Sequence, residues 1–203
     1  MKKIRILIVF IVLTGVIMAM ILLIPISKNQ TLPKVSLKTE LGNIEIEVFA
    51  DKAPVTAANF LKYVDEKRYT RTSFYRVVTP DNQPNDSIRI QVIQGGLGFE
   101  ENDQSLPPIP HETTKETGIL HKDGTISMAR LQPGTASSEF FICIKDQPEL
   151  DYGGKRNPDG QGFAAFGRVI RGMEVVMKIQ LQSEEGQMLK VPVEILDIYR
   201  TTD

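Results

Sequence analysis

Three short stretches hold the side chains best suited to chemistry. Phe74-Tyr75-Arg76-Val77-Val78 sets a guanidinium in an apolar run, and Ile90-Gln91-Val92-Ile93-Gln94-Gly95-Gly96 ends an alternating run on an amide and two glycines. Ser138-Glu139-Phe140-Phe141-Ile142-Cys143 places a carboxylate beside two aromatics. Paired glycines let the chain turn sharply or a partner approach closely, which places Gln94 at the rim of a sheet rather than inside it. The residues that carry heavier chemistry do not assemble. His111 and His121 lie in loop-like stretches without metal-ligand spacing and read as ordinary loop histidines. Cys143, the one cysteine, sits inside an apolar run and reads as a small buried hydrophobe. Asp151 to Gly160 resembles a calcium loop faintly, but Lys155 and Arg156 interrupt it and no glutamate stands at the twelfth position. Ser137 and Ser138 are not in a G-x-S-x-G elbow. The chemistry expected is therefore of a kind that needs no nucleophile, metal, phosphate loop or cofactor.

Most of the chain reads as short strands. Val35 and Leu37, then Ile44, Ile46 and Val48, alternate with polar residues around the turn Leu41-Gly42-Asn43, the pattern of a half-buried hairpin. The period then changes: Pro54 suits a first helical turn, and Ala57, Phe60, Leu61 and Val64 share one helical stripe. From Thr72 onward apolar runs at 74–78, 88–93, 125–128, 140–144 and 163–169 alternate with loops rich in Pro, Gly, Asn and Asp. A second helix is predicted over Gly172 to Leu181, with Met173, Val176, Met177 and Leu181 on its stripe, and Val193 to Tyr199 closes the chain as a strand. Many short strands, two helices and no βαβ rhythm predict a mainly β protein, a closed antiparallel barrel.

At 203 residues the chain suits one domain plus an appendage. Ile6 to Ile26 is almost unbroken apolar sequence, long enough to cross a bilayer, and Lys2, Lys3 and Arg5 before it predict a cytoplasmic N-terminus with the rest of the chain exported. No Ala-x-Ala site follows, which favours a retained signal anchor over residues 1–26 rather than a cleaved signal peptide; cleavage would leave a soluble exported or periplasmic protein. Residues 27–34 read as a tether, and 35–203 as the folded domain. Residues 1–30 hold four of the 24 basic residues and none of the 25 acidic ones, so the domain is mildly acidic and offers no footprint for nucleic acid.

Taken together, the three stretches, the last of them preceded by Ile126-Ser127-Met128-Ala129-Arg130, resemble the signature of the cyclophilin peptidyl-prolyl isomerases. The resemblance implies an eight-stranded barrel capped by two helices, and rotation about X-Pro bonds of exported or envelope proteins, assisting folding, without cofactor. No covalent bond changes in such a rotation. Its barrier, about 20 kcal/mol, is lost amide resonance, and the twisted prolyl nitrogen regains a lone pair that a guanidinium can hydrogen-bond. The resemblance assigns that guanidinium to Arg76, substrate-backbone binding to Gln94, and the base of the proline pocket to Phe141. It assigns pocket walls to Leu150, Val92 and Phe163, a peptide-pairing edge to Ala129 and Arg130, and a substrate-binding position to Glu139. Gln91, Val92, Glu139 and Phe163 replace residues more common in the family, and 79–90 is longer than the usual connection. Glu139 is expected either to pair with Arg76 and orient it or to hold it away from substrate. Many cyclophilins bind cyclosporin through an indole at the pocket rim; Glu149 stands there, and the chain has no tryptophan, so poor cyclosporin binding is expected. The alternatives from other classes are a non-catalytic proline-peptide-binding or chaperone module, and a scaffold subunit of an envelope complex.

Overall fold

Alternation at the start of the domain becomes a hairpin, β1 (Lys34–Thr39) paired antiparallel with β2 (Gly42–Val48), whose apolar residues all face inward. The computed structural model describes residues 31–99 and 103–201. The predicted anchor, 1–26, lies outside them; among the described residues no helix is long and apolar enough to cross a membrane. Further strands are β3 (Thr72–Val78), β4 (Val92–Gly96), β5 (Thr125–Met128), β6 (Phe140–Cys143), β7 (Ala164–Arg171), β8 (Glu184–Glu185) and β9 (Met188–Thr201). They lie in the order β1-β2-β7-β5-β6-β4-β3-β9-β8, and β1 also pairs with β9. That last pairing closes eight strands into an antiparallel barrel and removes the open edges a sheet would otherwise expose. The two-residue β8 only extends β9.

Among the described residues three α-helices accompany the barrel. In α1 (Pro54–Asp65) the predicted stripe is buried, and Phe60 packs against Phe140 edge to face at 5.7 Å. Ala53 gives α1 no side-chain cap. Glu112 supplies one from a distant loop, its carboxylate accepting from the N–H groups of Val55 and Thr56 at 3.1 and 2.7 Å, where a negative charge suits the helix dipole. A one-turn helix, α2 (Thr114–Thr117), was not expected; a capping box between Thr113 and Glu116 defines it. The last helix, α3 (Met173–Gln180), is where expected but rotated. It buries Val175, Val176 and Ile179, leaving Met177 and Leu181 exposed. Gly172 fixes this rotation: at φ 95° it lies so close to β2 that a Cβ would meet the Asn43 carbonyl oxygen at 2.4 Å.

Candidate active site

Strand register builds the site. Arg76 of β3 pairs with Gln94 of β4, Gln94 with Phe141 of β6, and Phe141 with Ser127 of β5, so one row of side chains crosses the barrel wall. Alternation sends Phe140 and Ile142 into the main core and turns Phe141 and Cys143 outward, where they join Val78, Ile90, Val92 and Leu150 in a separate apolar cluster. A β-bulge between Phe74 and Arg76 lets Phe74 face the core while Tyr75 and Arg76 both serve the outer face. The glycines after Gln94 do what close approach requires. A Cβ on Gly95 would meet the Ser73 carbonyl oxygen at 2.7 Å, and one on Gly96 would meet the Glu139 carboxylate at 2.6 Å.

All nine residues singled out from the sequence line one groove of about 440 Å³: Arg76, Val92, Gln94, Ala129, Arg130, Glu139, Phe141, Leu150 and Phe163. Phe163 meets Phe141 edge to face at 5.3 Å, completing the apolar wall. Gln94 is less exposed than expected, almost fully buried, yet its amide lies at the groove. The Arg130 guanidinium is committed to structure. It forks onto Asp159 at 2.8 and 2.9 Å and lies 5.3 Å over the Phe163 ring, holding the carboxyl of Asp159 down to about 2.

Neither expectation for Glu139 holds, because it does not touch Arg76. Its carboxylate accepts from Tyr75 Oη, from Ser138 Oγ at 3.0 Å and from the Gly98 N–H at 3.0 Å. Gln94 Nε2 donates to the same Tyr75 oxygen at 2.9 Å, and Gln94 Oε1 accepts from Arg76 Nη1 at 2.8 Å. A chain of hydrogen bonds thus runs Glu139, Tyr75, Gln94, Arg76, and it fixes which end of the Gln94 amide faces the guanidinium. Burial pushes the Glu139 carboxyl above its usual range, and burial with the Glu139 charge raises the Tyr75 phenol, which therefore stays protonated as the donor. Burial, then the nearby Arg156 guanidinium, lower the Arg76 pKa, but a guanidinium remains charged at neutral pH.

His121 is no ordinary loop histidine. It is buried, with Nδ1 2.8 Å from Asp151 Oδ1 and Nε2 3.0 Å from Ser127 Oγ. The arrangement is that of a Ser-His-Asp triad, but Ser127 is wholly buried and no substrate carbonyl can reach it. The network is structural: His121 stacks on Phe141 at 5.9 Å and ties the Leu150-Asp151 turn to β5. His121→Ala would leave the buried Ser127 hydroxyl without its partner, at about 1–3 kcal/mol, and remove one of the two hydrogen bonds that Asp151 Oδ1 accepts from this residue. Urea unfolding should show that loss; stability within about 0.5 kcal/mol of wild type would contradict this reading. Sequence reasoning also missed Arg156, Asn157 and Phe99 on the groove. Arg156 ties its loop to 79–90 through Asp86 at 3.0 Å and the Ile88 carbonyl at 2.7 Å.

Comparison with known proteins agrees with the geometry. The family model for cyclophilin type peptidyl-prolyl cis-trans isomerases matches residues 34–200. A peptidyl-prolyl cis-trans isomerase of Acinetobacter baylyi is 41% identical over 147 residues, covering 71% of this chain and 70% of its own. Peptidyl-prolyl cis-trans isomerase B of Escherichia coli is 36% identical over 172 residues, covering 83% of this chain and 98% of its own. The crystal structure of a Cryptosporidium parvum cyclophilin type isomerase matches the fold with a TM-score of 0.66 at 22% identity, over 85% of this chain and 99% of that one. The closed barrel, the outward row Arg76-Gln94-Phe141 and these relatives agree: the chain belongs to the cyclophilin-type peptidyl-prolyl cis-trans isomerase family.

Proposed function

We propose that this isomerase is held at the outer face of a membrane by residues 1–26 and rotates X-Pro bonds of exported polypeptides, helping them fold. The observation that supports the site reading is a half-buried guanidinium, Arg76, beside an apolar cluster of Val92, Phe141, Leu150 and Phe163. The proline ring sits on that cluster, and the peptide main chain runs along Ala129-Arg130. Arg76 donates to the prolyl nitrogen as the bond twists, a contact absent from the planar ground state, so it raises kcat rather than ground-state affinity. Gln94 binds substrate backbone and steadies Arg76; Glu139 acts at one remove, by anchoring Tyr75. A related cyclophilin-type structure was determined in the presence of the dipeptide Ala-Pro, the size of ligand this groove would take.

The apolar run Ile6 to Ile26, with three cations and no acid before it, supports export and retention. Intact protein is expected to sediment with membranes, resist alkaline carbonate extraction and keep its N-terminus by mass spectrometry. A soluble species beginning near Ser27 would replace the anchor by a cleaved signal peptide. Full-length protein recovered in the cytoplasmic fraction would contradict export altogether.

A further inference from the structure

Arg76 is gripped on a second side that the mechanism above does not use. Its Nε and Nη2 both donate to Oε1 of Gln187, at 3.1 and 2.6 Å, opposite the Nη1 bond to Gln94. Gln187 stands in the tight turn between β8 and β9, where Gly186 and Gln187 have φ of 58° and 77°. Two positive φ values in a two-residue hairpin turn favour glycine or asparagine at both places, so the turn itself gives no reason for glutamine.

The side chain does. The Gln187 N–H donates to Glu184 Oε2 at 2.7 Å, and its carbonyl accepts from the N–H of Val77, next to Arg76, at 2.9 Å. With the main chain so fixed, Nε2 donates to the Asn82 carbonyl at 3.1 Å, which leaves Oε1 to face the guanidinium. A guanidinium has five N–H groups. Gln187 and Gln94 take three of them, leaving one on each terminal nitrogen for the groove.

We propose that Gln187 is a positioning residue: its amide oxygen fixes the plane of Arg76 so that the two uncommitted N–H groups meet the twisting prolyl bond. The inference rests on the role proposed for Arg76. A neutral amide suits the task because it orients the guanidinium without neutralising it, whereas a carboxylate in its place would cancel charge needed in the transition state.

The test uses the full chain with Gln187→Ala, Gln187→Met, Arg76→Ala and the double variant Arg76→Ala/Gln187→Ala. Gln187→Met keeps the bulk of the turn residue without its amide, which guards against a hairpin that fails to fold. On an X-Pro peptide, both Gln187 variants should lower kcat about three- to tenfold with KM changed less than about twofold. On the Arg76→Ala background the second substitution should change the rate by less than about 1.5-fold, because there is nothing left to position. The Arg76 Nε–H resonance, read by NMR without turnover, should be protected from exchange in wild type and lose protection in Gln187→Met. Wild-type kcat in Gln187→Met while Arg76→Ala is slow would overturn this inference alone, as would an equal loss on both backgrounds or an unaltered Nε–H resonance. A wild-type rate in Arg76→Ala would instead remove the role of the arginine, and this inference with it.

Discussion

Cyclosporin should bind this isomerase about 30- to 900-fold more weakly than it binds a cyclophilin with an indole at the pocket rim, the effect of losing an interface hot spot worth about 2 to 4 kcal/mol. By the family resemblance Glu149 stands at that place in the chain, and it is not among the residues that line the groove. Its carboxylate accepts from the Lys155 N–H at 2.8 Å, and its carbonyl from the Arg156 N–H at 3.1 Å. The rim left behind carries Arg156, a charged group that an apolar cyclic peptide would have to cover. Phe99 is exposed on the groove, but it is already packed edge to face on Tyr75 at 4.9 Å. Glu149→Trp is expected to restore part of the affinity. Inhibition titrations check both points, and nanomolar inhibition of the wild-type protein would show that the missing indole does not matter.

The second large effect is at Arg76. Removing its side chain takes away one charge-assisted hydrogen bond made only in the twisted state, about 1.5 to 3 kcal/mol, or roughly 10- to 150-fold in rate. The apolar cluster proposed to bind the proline ring is untouched by Arg76→Ala, so KM should move little and kcat should take the loss. The fold should survive, because Arg76 lies outside the main core and the Gln94 amide that it would leave unpaired lines the groove.

Much of this site was legible in the sequence because strands write their faces into alternate residues. In β2 the alternation of Ile44, Ile46 and Val48 separates core from surface as the structure does, whereas Phe140-Phe141-Ile142-Cys143 is apolar throughout and its division between the core and the outer cluster is seen only in the fold. The glycine pair after Gln94 also gave its meaning away, since only a missing Cβ admits the Glu139 carboxylate. What stayed hidden depends on contacts between distant loops. Gln187 meets Arg76 across 111 positions and through a turn with no apolar pattern, and His121 takes one partner, Ser127, from β5 and the other, Asp151, from the turn beyond β6. Arg156 reached the groove only because its loop is pinned to 79–90. The stripe of α3 was misplaced for a related reason: Gly172 against the Asn43 carbonyl sets the rotation of that helix, and periodicity within eight residues cannot report it.

The central claim is that Arg76 lowers the barrier to rotation about an X-Pro bond held in this groove. NMR exchange spectroscopy on an X-Pro peptide measures it directly, with the full chain present in catalytic amount and Arg76→Ala beside it at the same concentration. Cis and trans resonances should exchange rapidly with the wild-type protein, and the variant should be at least tenfold slower while binding the peptide comparably. Equal exchange rates for the two proteins would contradict the account.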